Sequence, residues 1–205
     1  MNPRLDFVHE FMPGTSKRTL LLLHGTGGNE HDLVPLGCEI DSTAAILSPR
    51  GKVLENGMPR FFRRLAEGIF DEEDLKKRTH ELADFVGAAA EHYEFAADQV
   101  VAVGYSNGAN IAASLLLLRP EALRAAILFR AMVPLMPERL ADLSSARVWI
   151  GAGNQDPIIP TSETQRLVEL LRGAGADLTI RFFDAGHNLA NNEIEIARDW
   201  LMNWP

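Results

Sequence analysis

One pentapeptide constrains the fold of this chain more than any other feature, because it joins a strand-like run to a helix-like one. Residues Gly104–Gly108 read Gly-Tyr-Ser-Asn-Gly, a G-x-S-x-G pattern. The apolar run 100–103 before it is typical of a buried strand, and residues 109–118 after it are typical of a closely packed helix. In this context the chain makes a sharp, strained turn that lifts the serine hydroxyl out of the sheet, and the flanking glycines avoid collisions with neighbouring elements. We therefore predict that Ser106 is a nucleophile rather than part of a plain glycine-rich turn.

The rest of the chain alternates strand-like and helix-like patterns. Apolar runs of strand length lie at 5–12, 19–23, 44–47, 100–103, 125–129, 148–150 and 178–183. Several of them are apolar throughout, as in parallel strands covered on both faces. Helical spacing of apolar residues predicts helices over Asp71–Phe95, over Thr161–Arg172 with Gly173 as its C-cap, and over Asn188–Trp204. The first two strands, with Pro13–Ser16 between them, look like an antiparallel hairpin. The alternation predicts a three-layer α/β fold, and the length of 205 residues favours a single domain, 1–205.

Two apolar segments fit neither pattern. Pro49–Phe70 has no clear periodicity, and Phe129–Ala146 is interrupted by prolines. A long apolar loop inside a compact domain is usually functional, and neither segment is long enough to be a cap domain. We expect Pro49–Phe70 and the first part of the second segment, Phe129–Met136, to wall a pocket for an apolar acyl or aromatic group. Ordinary core positions remain the alternative for the residues selected as pocket walls, which are Met58, Phe61, Phe62, Met132 and Leu135.

Charge and composition exclude several classes of function. The net charge is −8, which repels nucleic acid and anionic membranes, so we expect neither as a partner. No apolar run approaches the roughly 20 residues of a membrane-spanning helix, and the first residues do not resemble a signal peptide, which favours a cytoplasmic protein. The single cysteine, Cys38, excludes an internal disulfide and a multi-cysteine metal site. We expect Cys38 to be a small buried core residue.

A serine hydroxyl needs a base to remove its proton and an acid to orient that base. In a fold with this kind of turn, the acid and then the histidine follow the serine, each at the carboxyl end of a strand. Of the six histidines, only His187 lies downstream of Ser106, directly after the run 178–183. A solvent-exposed loop histidine is the alternative. Position and order lead us to predict that His187 is the base.

Asp156 is our choice for the acid among the downstream aspartates. Asp142 precedes a strand and Asp177 begins one, so both fall at the wrong edge of the sheet. Asp184 shares a turn with His187, whereas Asp156 follows a separate strand. A separate strand end gives a better approach to the imidazole. The alternative role for Asp156 is that of a turn residue before proline.

Negative charge that develops on a substrate carbonyl needs backbone N–H donors. One is expected from Asn107, the residue after the serine, at a helix N-terminus whose dipole favours negative charge. The other is expected from the loop His24–Gly28, where glycines allow a tight backbone, and we predict Thr26 as this donor. A phosphate-binding loop is the rival interpretation, but neither the lysine and hydroxyl spacing of a P-loop nor G-x-G-x-x-G is present.

Together these motifs resemble the phospholipase/carboxylesterase family of small α/β-hydrolases, which includes acyl-protein thioesterase-like enzymes and bacterial short-chain carboxylesterases. The matching pieces span nearly the whole chain in the expected order, and they are Leu23–Gly28, Gly104–Gly108, Asp156–Pro160 and Gly186–Leu189. The resemblance implies an α/β-hydrolase fold: a mostly parallel twisted sheet of about seven strands, helices on both faces and no large cap domain. It implies a triad of Ser106, Asp156 and His187, with oxyanion donors Thr26 and Asn107.

The resemblance also implies a serine esterase that needs neither a metal nor an organic cofactor. Asn107 stands where thioesterase-like members usually carry glutamine, and Phe129–Met132 replaces their small or cysteine-containing run, which argues against depalmitoylation. Dienelactone hydrolases share the fold but use cysteine at the turn, so Ser106 argues against that chemistry. We expect a small-molecule ester substrate with a short-chain or aryl group. An acyl thioesterase or lysophospholipase-like enzyme and a non-catalytic binding protein are the alternatives, and a homodimer is left open.

Overall fold

A sheet of seven strands forms the centre of the structure. The structure is a computed structural model, and it describes residues 5–66 and 68–203. The strands of the sheet and of two small hairpins are β1 (His9–Met12), β2 (Thr19–Leu23), β3 (Ala45–Pro49), β4 (Val53–Glu55), β5 (Met58–Arg60), β6 (Arg64–Ala66), β7 (Ile69–Phe70), β8 (Val100–Tyr105), β9 (Ala125–Phe129), β10 (Arg147–Gly153) and β11 (Asp177–Phe183). The helices are α1 (Val34–Ile40), α2 (Glu72–Tyr93), α3 (Asn107–Leu118), α4 (Thr161–Gly173) and α5 (Glu193–Met202). The order in the sheet is β1-β3-β2-β8-β9-β10-β11, and every neighbouring pair except β1 with β3 is parallel. The predicted, mostly parallel α/β sheet is confirmed.

Helices cover both faces of the sheet, which explains the uninterrupted apolar runs. Leu21 and Leu23 belong to the larger core cluster, together with residues of α2, α3 and α4. Leu20 and Leu22 pack on the opposite face with residues of α1 and α5. Since successive side chains of a strand point to opposite faces, a strand buried on both faces must be apolar throughout. No segment of the described residues forms a separate cap domain.

The predicted hairpin between the first two strands is wrong. β1 pairs antiparallel with β3, with His9 opposite Pro49, while β2 lies between β3 and β8. The connecting segment crosses close to the start of β3, because the N–H groups of Thr15 and Ser16 both donate to the Thr43 carbonyl, at 2.7 and 2.9 Å. β2 is buried along its whole length and needs a neighbour on each side, whereas the partly exposed β1 suits a sheet edge.

The longer helices lie close to their predicted positions, and their ends differ for local reasons. α2 begins after Asp71, whose side chain caps the helix by accepting a backbone hydrogen bond. α4 continues through Gly173, so its predicted role as C-cap is wrong, and the left-handed residue that follows is Gly175, with φ of 95°. α5 begins at Glu193, later than predicted, and Trp204 lies outside the described residues. None of the helices in the described part of the chain is both long and apolar enough to cross a membrane.

Sequence patterning does not reveal the short helix α1, and its expectation for Cys38 is wrong. Cys38 is exposed rather than buried. Gly37 and Ile40 form the buried face of α1, and a Cβ on Gly37 would lie 2.8 Å from the Leu22 side chain. Each helical residue is turned by about 100° from the one before it, so Cys38 points away from this face.

The irregular segment Pro49–Phe70 contains two short hairpins, β4–β5 and β6–β7. The first turns at Asn56 and Gly57, whose φ values of 51° and 80° are the left-handed pair that an Asn-Gly hairpin turn requires. The Pro59 carbonyl accepts the N–H of Gly27 at 2.9 Å. This contact places the first hairpin over the loop that follows β2.

Candidate active site

The turn at Ser106 joins β8 to α3 and has the strained geometry that the G-x-S-x-G pattern predicts. Ser106 has φ of 52° and ψ of −112°, a combination that residues other than glycine rarely adopt. A Cβ on Gly104 would lie 2.6 Å from the Gly108 carbonyl oxygen, and one on Gly108 would lie 1.8 Å from the Leu23 carbonyl oxygen. Both positions therefore require glycine, because α3 packs directly against the ends of β2 and β8.

Hydrogen bonds connect Ser106, His187 and Asp156. His187 Nε2 lies 3.0 Å from Ser106 Oγ, and His187 Nδ1 lies 2.8 Å from Asp156 Oδ2. The Asp156 carboxylate is completely buried, and its Oδ1 accepts the N–H groups of Ile158 and Ile159 at 2.8 and 3.1 Å. The fixed carboxylate holds the proton on Nδ1, which leaves Nε2 free to take a proton from the serine. The three side chains follow the carboxyl ends of β8, β10 and β11.

The rival acids are engaged elsewhere. Asp184 accepts a hydrogen bond from Gln155 Nε2. Asp177 pairs with Arg147 at 3.0 Å, at the amino ends of β11 and β10 and thus at the opposite edge of the sheet. Geometry therefore favours Asp156 as the partner of His187.

Two backbone N–H groups beside Ser106, those of Thr26 and Asn107, have no acceptor within the described part of the protein. Asn107 is the first residue of α3, where N–H groups lack acceptors inside the helix. The next N–H in the loop after β2, that of Gly27, is already bonded to Pro59. Thr26 and Asn107 both line the cavity at Ser106, so their N–H groups are available to a bound carbonyl oxygen.

A buried histidine, His24, fixes the loop after β2. Its Nε2 accepts the Gly51 N–H at 3.0 Å and its Nδ1 donates to the Gly25 carbonyl at 2.6 Å, an arrangement that only the neutral ring can make. Burial lowers the pKa of His24, which keeps the ring neutral. Nearby, Arg50 donates two hydrogen bonds to Glu30 and lowers the pKa of that carboxyl to about 2.

A cavity of about 420 Å³ opens beside Ser106. It is lined by Thr26, Arg60, Arg64, Gly68, Phe70, Tyr105, Ser106, Asn107, Asn110, Met132, Ile158, Ile159 and His187. Of the predicted pocket walls, Met132 lines this cavity and four residues do not. Three of the four, Phe61, Phe62 and Leu135, are buried in the core. The fourth, Met58, lies on the exposed part of β5. The predicted pocket is corrected accordingly, because apolar character alone does not distinguish a core residue from a cavity wall.

Two arginines that sequence analysis does not select lie at this cavity. Arg60 and Arg64 line it and both pair with Glu55, at 3.2 and 2.8 Å. Arg60 is buried, and its Nη1 donates to Thr26 Oγ1 at 2.7 Å. It therefore ties the first hairpin to the loop after β2. The sequence signal for Arg60 and Arg64 is a cluster of arginines inside an otherwise apolar segment.

Two asparagines of α3 attach the irregular segments to the site. Asn107 Oδ1 accepts the Phe61 N–H at 2.8 Å, and Asn110 Oδ1 accepts the Met132 N–H at 3.0 Å. Both asparagines are buried and lie one turn apart on the same face of the helix. The sequence signal for this role is Asn110, a polar residue at the start of the mostly apolar run 109–118.

A larger cavity, of about 610 Å³, lies at the amino edge of the sheet among residues that include Phe11, Lys17 and Tyr93. Its lining contains none of the three hydrogen-bonded residues Ser106, His187 and Asp156. The chemistry therefore points to the smaller cavity.

Comparison with known proteins assigns the family. Residues 55–199 match the dienelactone hydrolase family model, which is most of the chain. The chain belongs to the dienelactone hydrolase family. The chain is also similar to MhqD of Bacillus subtilis (strain 168), a protein that is provisionally named a hydrolase. The two are 53% identical over 192 residues, which cover 94% of this chain and 96% of MhqD.

Solved structures of carboxylesterases have the same fold as this member of the dienelactone hydrolase family. The Bacillus cereus carboxylesterase is 53% identical, with a TM-score of 0.91 over 93% of this chain and 91% of that chain. A Mesorhizobium loti carboxylesterase is 34% identical, with a TM-score of 0.86 over 93% of this chain and 90% of the other. The α/β-hydrolase fold and the resemblance to small carboxylesterases are confirmed.

Proposed function

We propose that this protein is a serine carboxylesterase that hydrolyses short-chain or aryl carboxylic esters through an acyl-enzyme on Ser106. The observation that carries the proposal is the unbroken line of hydrogen bonds from Asp156 through His187 to Ser106 Oγ, at the wall of an open cavity. The similarity to carboxylesterases supports the reaction class. The nucleophile at the turn is a serine rather than a cysteine, so the acyl-enzyme would be an oxygen ester and not the thioester that a cysteine forms.

In the acylation step, Ser106 Oγ attacks the carbonyl carbon of the ester while its proton passes to His187 Nε2. The buried carboxylate of Asp156 stabilises the imidazolium ion that forms. The N–H groups of Thr26 and Asn107 donate to the carbonyl oxygen as it becomes negative. The ester C–O bond then breaks, and His187 returns the proton to the leaving alcohol.

A water molecule then completes the reaction, because it attacks the acyl-enzyme as the nucleophile and Ser106 becomes the leaving group. His187 Nε2 takes a proton from a water molecule, whose oxygen attacks the acyl carbon on Ser106. The bond between the acyl carbon and Ser106 Oγ breaks, and His187 gives the proton back to that oxygen. The product is a carboxylic acid, and the enzyme returns to its starting state.

The cavity supports a small substrate. Its apolar walls, Phe70, Met132, Ile158 and Ile159, suit a short acyl or aryl group, and no described segment covers the opening as a lid. The same machinery would act on a thioester. Hydrolysis rates of matched oxygen esters and thioesters decide between an esterase and an acyl thioesterase.

Alanine substitution tests the proposal. Ser106→Ala and His187→Ala should each lower kcat for an aryl ester by roughly 10⁴–10⁶. Ser162→Ala, at an exposed position of α4, is the matched control and should turn over the ester at the normal rate. Normal turnover by Ser106→Ala would end the proposal. A non-catalytic binding protein would instead show neither turnover nor labelling of Ser106 by a fluorophosphonate.

A further inference from the structure

Two side chains hold three successive backbone carbonyls around His187. Arg130 Nε donates to the Gly186 carbonyl at 3.0 Å, and Arg130 Nη2 donates to the Asn188 carbonyl at 2.6 Å. Between them, the Tyr105 hydroxyl donates to the carbonyl of His187 itself at 3.0 Å. These three residues belong to the loop between β11 and α5, residues 184–192, which we call the histidine loop. Within residues 5–66 and 68–203, the three make no hydrogen bond to another backbone group. The placement of His187 therefore depends on Arg130 and Tyr105.

A buried ion pair holds Arg130 in turn. Its two Nη atoms donate to the Glu193 carboxylate at 2.6 and 2.9 Å, and neither side chain is exposed to solvent. Glu193 Oε2 also accepts the Ala190 N–H at 3.0 Å, which fixes the far end of the histidine loop. Gly151 leaves room for this carboxylate, since a Cβ there would lie 2.3 Å from Glu193 Oε1. Desolvation makes a buried ion pair a poor source of stability, so a role in positioning explains it better.

The backbone at Arg130 is strained as well. Its φ of 57° lies in the left-handed region, which side chains with a Cβ disfavour. The Arg130 N–H donates to the Gly151 carbonyl at 2.9 Å, and Nη1 approaches the same oxygen at 3.2 Å. With this backbone conformation at the end of β9, the Arg130 side chain extends across β10 to the loop after β11. Strain of this kind persists where surrounding bonds impose it, and it concentrates at functional sites.

We propose that Arg130, together with Tyr105, is a positioning residue that keeps the His187 imidazole between Ser106 Oγ and Asp156 Oδ2. The inference rests on the proposed esterase function. Tyr105 directly precedes the nucleophile, and its ring centroid lies 5.4 Å from that of the imidazole, so the histidine loop is bonded to the strand that carries Ser106. A misplacement of about 1 Å can lower a catalytic rate by about 10²-fold.

The first test measures turnover per working active site. The variants are Tyr105→Phe and Arg130→Lys, and their matched controls are Tyr93→Phe and Arg198→Lys, at residues that do not line the cavity beside Ser106. Turnover of an aryl ester is divided by the number of sites titrated with a fluorophosphonate, so that unfolded protein does not count. We expect kcat to fall about tenfold in Tyr105→Phe and about 10²-fold in Arg130→Lys, with KM changed by less than about threefold. The controls should match the unmodified protein.

The second test repeats both substitutions in a His187→Ala background. A residue that acts by positioning His187 has nothing to position there, so neither substitution should lower the residual turnover per folded molecule further. An equal loss in both backgrounds, or an unchanged kcat per titrated site, overturns the proposal. If Arg130→Lys does not fold, Tyr105→Phe decides alone. Failure of the esterase proposal is distinguishable, since it would show as turnover that survives Ser106→Ala or as no turnover and no labelling in the unmodified protein.

Discussion

Asp156 and His187 face each other through a 2.8 Å hydrogen bond between Oδ2 and Nδ1, while two backbone N–H groups occupy the second carboxylate oxygen. The carboxylate is buried, and both of its oxygens already accept hydrogen bonds, so it cannot turn away from the imidazole. An amide in this place would have to present a donor either to His187 or to the backbone N–H groups. The orientation of His187 is therefore sensitive to this one substitution.

Asp156→Asn should lower kcat by roughly 10⁴, because the amide favours the wrong tautomer of the imidazole while the fold is retained. Asp184→Asn is the matched control, since Asp184 lies in the same turn as His187 but bonds to Gln155. Steady-state kinetics on an aryl ester measure both. The assignment of the acid is wrong if Asp156→Asn stays near normal while Asp184→Asn loses activity.

His24 should make stability depend on pH. Burial lowers its pKa in the folded protein, so the unfolded chain binds a proton at a higher pH than the folded one. The stability linked to His24 is therefore fully present above the ordinary histidine pKa of about 6.5 and is lost as the pH falls below it. The free energy of unfolding in urea should fall between about pH 7.5 and about pH 5.

His24→Gln tests the source of this dependence, because glutamine has a donor and an acceptor but does not titrate. At neutral pH the substitution should cost about 1–3 kcal/mol through weakened bonds to Gly25 and Gly51. The fall in stability with acid should be smaller in the variant. Equal slopes in the two proteins would show that His24 does not carry the effect.

Two glycines should respond oppositely to alanine. A Cβ on Gly108 would lie 1.8 Å from the Leu23 carbonyl oxygen, and the sheet cannot move away, so Gly108→Ala should lower the free energy of unfolding by at least about 3 kcal/mol. Gly87, inside α2, has nothing within 4 Å, and Gly87→Ala should raise stability by about 0.5–1 kcal/mol. Urea unfolding measures both. A Gly108→Ala protein as stable as the Gly87→Ala protein would contradict the geometry of the turn.

The cavity predicts a preference for short acyl groups. Across aryl esters from acetate to dodecanoate, kcat/KM should peak among the short chains, because the apolar wall of the cavity of about 420 Å³ is limited to a few side chains, Phe70, Met132, Ile158 and Ile159. Met132→Ala should shift the peak towards longer chains, since this side chain lines the cavity. A peak at long acyl groups in the unmodified protein would rule out the proposed substrate class.

The sequence predicts the parts of the site that are set by local pattern and by strand order. The G-x-S-x-G pattern indicates Ser106, and chain order at the strand ends indicates Asp156 and His187; in the structure their side chains lie within hydrogen-bonding distance. A parallel sheet explains this proximity, because the carboxyl ends of successive strands meet at one edge. Thr26 and Asn107 likewise lie at the cavity beside Ser106.

Features that depend on long-range packing were not predictable in the same way. β1 pairs with β3 because β2, buried along its whole length, needs a neighbour on each side. The local sequence pattern does not show which strand has this need. Phe61 and Phe62 look like cavity walls in sequence, yet they are core residues. In the sequence, Arg130 differs only in belonging to a run, Phe129–Met132, that departs from thioesterase-like enzymes, and its bond to Glu193 joins residues 63 positions apart. Such contacts appear only once the chain is folded.

Trapping the acyl-enzyme is the sharpest test of whether Ser106 is the nucleophile. The protein is mixed with an aryl acetate, quenched in acid within the first turnovers and analysed by intact mass and peptide mapping. We expect one acetyl group on the peptide that contains Ser106, formed in Asp184→Asn as in the unmodified protein and absent from Ser106→Ala. Ester turnover with no acyl group on Ser106, or with the acyl group on another residue, would contradict it.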